Sequence, residues 1–236
     1  MSVAVQVENL TKVYGSGHTA VTALRGASLV AHAGELVALL GPSGSGKTTL
    51  LSAIAGIIDP SGGRIKVGEA TVYDDGWRVR DLRRCRREHL GFIFQAQNLI
   101  PFLTARENVL IALQVRGVTG SKAVRAAQEL LDYLGVGDRQ RHLPEQLSGG
   151  EQQRGAIARA LANTPKMILA DEPTAALDTE RGRSVMALFP QVAREKNSAV
   201  ICVTHDERMI EGFDHVYRVR DGQVFGDRTS DSGVEA

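Results

Sequence analysis

Hydrophobic and polar positions change their period several times along the chain, and each change marks an element. Val3, Val5 and Val7 alternate with smaller or polar residues and predict a strand, with a short second extended piece up to Tyr14. After the Gly15-Ser16-Gly17 turn comes a further strand over residues 21–29. Leu36-Val37-Ala38-Leu39-Leu40 is apolar at every position, as in a parallel strand buried on both faces. Leu50 to Ala55 reads as the first turns of a helix, followed by a helix stop and turn over 57–63. Residues 64–68 and 70–73 predict short antiparallel strands, and 90–94 a buried strand that ends on Gln95. From Thr104 to about Leu134 the period becomes helical. Ala105, Val109, Ala112, Leu113 and Val115 mark one helix, and Ala123, Ala126, Ala127, Leu130 and Leu131 a second. A helix over 151–162, a strand over 167–170, a helix from Ala176-Leu177-Asp178 towards Phe189 and a strand over 199–203 follow. A hairpin about Asp221-Gly222 closes the pattern, and a polar tail expected to be disordered begins near Asp227. A helical block thus interrupts a strand-rich α/β chain.

Composition changes this picture little. At 236 residues, with 43% hydrophobic and 23% charged residues, the chain suffices for one large α/β domain or two small ones and can bury a sizeable core. A net charge of +1 gives no global argument for nucleic acid or an anionic membrane surface. Arg78 to Arg87 carries six arginines without interleaved aromatics and reads as a solvated helix face, near a membrane or a partner. Cys85 and Cys202 lack metal-ligand or redox spacing and are expected to be reduced thiols of a cytosolic protein. No apolar run is long enough to span a bilayer, and the N-terminus does not read as a signal peptide. The expectation is an intracellular soluble protein.

The chemistry lies at the ends of the apolar runs. Gly41, Gly46, Lys47 and Thr48 fill every fixed position of G-x-x-x-x-G-K-[ST], between a strand and a helix. Gly41, Gly44 and Gly46 let successive N–H groups turn inward onto phosphate oxygens, and the following helix adds its N-terminal dipole. Lys47 can reach the β- and γ-phosphates, and the Thr48 hydroxyl can bind Mg²⁺. Ser148-Gly149-Gly150-Glu151 opens a second helix on the same anion-binding logic, without a lysine; an ordinary Ser N-cap is the plainer reading. Asp171 and Glu172 end a buried strand, where Asp171 would orient a metal and Glu172 would align or deprotonate water. Gln95 is either a strand-end cap or a ligand of Mg²⁺ or water. His205 stands at the carboxyl end of a strand, where ligands of such sheets bind. Tyr14 is either packing or a stacking platform for adenine.

Taken in this order, the motifs resemble the ATP-binding subunit of an ABC transporter over nearly the whole chain. LSGGE at 147–151 is the specific element. The resemblance implies a P-loop NTPase with a RecA-like core, an antiparallel β subdomain and an inserted α-helical subdomain. One domain would span 1–226, with the core in 1–94 and 160–226, the helical subdomain in 95–159, and the polar tail in 227–236. It further implies that two such subunits sandwich ATP, the phosphate loop of one against LSGGE of the other. Tyr14 would stack on adenine; Gly41, Ser43, Gly44, Ser45, Gly46, Lys47, Thr48 and Thr49 would bind phosphates; and Thr48, Gln95 and Asp171 would bind Mg²⁺. Ser148 and Gly150 would meet the partner's γ-phosphate, Gly149 and Glu151 would belong to the same nucleotide-binding stretch, and Glu172, His205 and Gln95 would form the catalytic set.

The segment from Phe94 to Val109 resembles exporter-type ATPases for lipoproteins, macrolides, glycolipids or haem. These work with a separate membrane permease, in two copies, and place the ATPase at the cytoplasmic face of the inner or cell membrane. No nucleic acid partner is expected. The competing class, a soluble ABC ATPase acting on ribosomes or DNA, usually has two cassettes or a long coiled coil; this chain has one cassette and no long heptad run.

Overall fold

The structure, a computed structural model, describes residues 2–227. Strands β1 (Val3–Tyr14), β2 (Val21–His32), β4 (Gly62–Val67) and β5 (Ala70–Asp74) form an antiparallel sheet in the order β2-β1-β4-β5. The second sheet holds β3 (Leu36–Leu40), β6 (Leu90–Ile93), β7 (Met167–Asp171), β8 (Ala199–Thr204), β9 (His215–Arg220) and β10 (Gln223–Asp227). Its order is β10-β9-β3-β8-β7-β6, parallel except for the β9–β10 hairpin at its edge.

The continuous apolar runs arise because this sheet is covered on both faces. In β3, Leu36, Ala38 and Leu40 point into a core shared with the helices. Val37 and Leu39 point into a second core, shared with the antiparallel sheet and helix α1 (Lys47–Ile54). The same alternation holds in β7 and β8, so a polar residue at any interior position would lie in one core or the other. Phe189 is fully buried in the first core. Phe189→Ala is expected to lower unfolding free energy by about 3–5 kcal/mol, read as a shift of the denaturant midpoint at constant m-value.

Helix α2 (Leu82–His89) follows β5, and its N-terminus is capped by the Asp81 carboxylate, which accepts from Arg84 N. The helical block consists of α3 (Ala105–Val115), α4 (Gly120–Tyr133) and α5 (Gly149–Leu161). Thr104 and Glu107 close a capping box at the start of α3. Helix α5 runs without a break through the 159/160 boundary expected from sequence.

Three local expectations change. Val3–Tyr14 is one strand with register shifts, not two pieces, because Asn9 at φ 48° absorbs a bulge without ending the pairing. The helix towards Phe189 is broken into α6 (Thr179–Met186) and α7 (Leu188–Lys196). Pro190 has no N–H for the Met186 carbonyl, and its ring would crowd it. Strand β6 ends at Ile93, so Phe94 lies beyond it and is exposed rather than buried, as is Gln95 after it. Most of the expected tail lies outside the described residues.

Candidate nucleotide site

The loop after β3 is shaped by two backbones that press on it from elsewhere in the chain. A Cβ on Gly41 would stand 2.1 Å from the Val219 carbonyl oxygen in β9, and one on Gly46 (φ 104°) 2.6 Å from that of Ala23 in β2. The hairpin turn, Asp221 (φ 50°) and Gly222 (φ 79°), is a type I′ turn seated against the loop. Gly222 N donates to Ser45 O at 3.0 Å, and Arg25 N donates to Gly222 O at 2.8 Å. Ala23, Ser43, Gly44, Gly46, Lys47, Thr48, Thr49 and Glu172 line a cleft of about 230 Å³ over the start of α1. Ser45 is buried beneath the loop and contributes its backbone rather than lining this cleft.

Lys47 is 5% exposed, and its ammonium donates to the carbonyls of Gly41 (2.7 Å) and Pro42 (2.8 Å). Burial lowers its pKa, while the charges of Glu172 and Asp171 pull it back up. Thr48 Oγ1 donates to Asp171 Oδ1 at 3.1 Å. Burial raises the Asp171 pKa and Glu172 adds to the rise; the Thr48 bond and Lys47 oppose it. A half-buried carboxyl beside a hydroxyl is a hard-oxygen pair that fits Mg²⁺, which keeps several waters and needs few protein ligands. Glu172 has φ 46°, in the left-handed region, and its N–H bonds to the Val203 carbonyl at 3.0 Å. That turn places Glu172 on the cleft wall, where its carboxylate meets His205 Nδ1 at 3.2 Å. Strain at a side chain facing a phosphate loop is the kind retained for function.

The glycine-rich start of α5 is elsewhere. Ser148 is an N-cap, as the plainer reading had it: its Oγ accepts from Glu151 N, and the Glu151 carboxylate accepts from Ser148 N at 2.8 Å. That backbone bond leads in holding Glu151 below the usual carboxylate range, against the opposing effect of burial. Ser148, Gly150 and Glu151 line a cleft of about 280 Å³ with Gly135, Arg154, Arg181, Ser184 and Val185, and this cleft shares no residue with the phosphate-loop cleft. One chain therefore brings Lys47, Thr48, Asp171, Glu172 and His205 together, but not Ser148 to Gly150. Gln95 lines neither cleft, and neither does Tyr14, which is exposed at the end of β1 beside Val21 of β2. A cavity of about 780 Å³ lies at the opposite, amino-terminal end of the parallel strands and carries no phosphate loop. The sequence reading missed Ala23, Val219 and Gly222 as walls of the loop. Only the Asp-Gly turn signal pointed towards them.

A phosphate loop, a strand-terminal Asp-Glu pair and a separate glycine-rich helix start on a two-sheet core define a nucleotide-hydrolysing cassette. The family model described as "ABC transporter" matches residues 24–175. A Thermotoga maritima protein called an uncharacterized ABC transporter ATP-binding protein is 42% identical over 96% of this chain and 95% of its own length. The lipoprotein-releasing system ATP-binding protein LolD of Geobacter metallireducens is 42% identical over 96% of this chain and all of its own. The putative hemin import ATP-binding protein HrtA of Staphylococcus aureus is 40% identical over 94% of this chain and 99% of its own. Among solved structures, the ATP-binding cassette MJ0796, in a dimeric post-hydrolysis state bound to ADP and Pi, superposes with a TM-score of 0.84. It is 38% identical and covers 95% of this chain and 98% of its own. The chain belongs to the ABC transporter family, as an ATP-hydrolysing ATP-binding subunit. The ribosome- or DNA-acting class is not favoured. No helix of the described residues is long and apolar enough to cross a membrane.

Proposed function

We propose that two copies of this chain close on two ATP molecules to drive a separate membrane permease, present in two copies, from the cytoplasmic face of the membrane. The carrying observation is the separation of the two clefts. A γ-phosphate needs donors on both faces to exclude water and neutralise charge, and one chain offers those faces in clefts with no common residue. The phosphate loop and Lys47 bind ATP, Thr48 and Asp171 would hold Mg²⁺, and Ser148 to Glu151 of the other copy complete the site. Mg²⁺, when bound, would supply positive charge against the phosphates. Glu172 aligns or deprotonates the attacking water, His205 orients against the γ-phosphate, and Tyr14 stacks on adenine. The helical block 95–159 forms the arm that carries the second face. The names of the relatives divide on direction, release in one and import in another. Export of a haem, glycolipid, lipoprotein or drug is proposed here on the resemblance of residues 94–109.

Mixing a Lys47→Ala subunit with a Ser148→Arg subunit tests the shared site. A mixed pair has one site with both lesions and one with neither, so ATPase activity is expected to return above that of either variant alone. A monomer that hydrolyses ATP at full rate at any dilution overturns the reading.

A further inference from the structure

The start of α5 has the geometry of an anion site but no lysine, and the chain places a different cation beside it. Arg181, in the first turn of α6, packs its stem against Gly150: its Cβ, Cγ and Cδ lie 3.9–4.0 Å from where a Gly150 Cβ would stand. It lines the same cleft as Ser148, Gly150 and Arg154. The Arg154 guanidinium is engaged, donating to Leu134 O (3.0 Å) and Ser184 Oγ (2.6 Å). The cleft's carboxylate, Glu151, is engaged too, by Ser148 N and by Arg139 Nε at 3.0 Å. Arg181 is held differently. Its ion pair with Asp178, at 3.2 Å, is exposed on both sides (60% and 54%), and such a pair holds an arginine weakly. Arg181 thus has a stem lying beside a signature glycine and a head held by an exposed ion pair.

We propose that Arg181 is a phosphate-binding residue in trans: on dimer closure its guanidinium leaves Asp178 and bonds the terminal phosphate of the ATP held by the other subunit's loop. This rests on the two-subunit reading above. It supplies the charge that the second helix start lacks, in the bidentate form in which a guanidinium meets phosphate oxygens.

The test uses the full chain carrying Glu172→Gln, so that ATP is bound but not consumed, with MgATP as the ligand. Light scattering gives the protein concentration at half-dimerisation. Adding Arg181→Ala, or Arg181→Gln, which keeps part of the stem over Gly150, is expected to raise it about ten- to a hundred-fold. Arg181→Lys should lose less. Binding of a fluorescent ATP analogue to the monomer, measured well below dimerising concentrations, should not change, nor should the thermal midpoint. Dimerisation equal to the parent in Arg181→Ala and Arg181→Gln overturns the proposal, as does an equal loss of the monomer's own ATP affinity. Ser148→Arg in the same background separates the two readings. If it blocks dimerisation and Arg181→Ala does not, only the role of Arg181 fails. If the parent forms no ATP-dependent dimer, or Ser148→Arg leaves it intact, the shared site fails with it.

Discussion

Glu172→Gln is expected to cut steady-state ATP hydrolysis about a hundred- to ten-thousand-fold, the range of general-base assistance, while leaving ATP binding intact. The backbone is the reason. β7 ends at Asp171, and the left-handed turn at Glu172, fixed by its bond to Val203 O, sets this carboxylate on the wall of the phosphate-loop cleft and within 3.2 Å of His205. The amide keeps the size and a hydrogen-bonding oxygen but cannot take a proton. Asp171 and Lys47, proposed to hold the metal and the phosphates, are untouched by the change. Single-turnover and steady-state rates should fall together, and ATP should accumulate in a stable dimer. Turnover within threefold of the parent, about 0.7 kcal/mol of barrier, would sink the assignment.

Lys47→Ala should act at a different step, weakening nucleotide binding itself by about ten-fold or more. The ammonium has three donors, and two of them bind Gly41 O and Pro42 O, which leaves one to address a phosphate from a fixed position. Alanine removes the cation and also frees two loop carbonyls that then face the ligand's negative charge. Arginine is not a conservative replacement here, because its planar fork does not fit a site built around a point charge. Equilibrium titration with a labelled ATP analogue and Mg²⁺ gives the result directly. An unchanged affinity would mean that Lys47 does not meet the nucleotide. The contrast with Glu172→Gln separates residues that hold ATP from those that turn it over.

The sequence by itself determined the elements that carry the chemistry. Both faces of β3, β7 and β8 are buried, so their apolar runs needed no alternation to be read as strands. The glycines and Lys47 of the loop were legible because phosphate binding demands those residue types at fixed local spacing. The Ser148 N-cap was legible because a cap is local to the helix start; that Glu151 closes a capping box with it came from the structure. The break at Ala187 was missed although Pro190 stood in plain view, because the amphipathic pattern continues across it. Tertiary structure alone decided which walls shape the loop. Val219, Ala23 and Gly222 reach it from β9, β2 and the hairpin, through backbone contacts that leave almost no trace in side-chain pattern. It also decided that Thr48 meets Asp171, that Glu172 meets His205, and that Ser148 lies in another cleft with Arg181. Those pairings depend on strand order β3-β8-β7 and on where α5 packs. Strand order is set by the joint burial of two cores, not by any local run of residues.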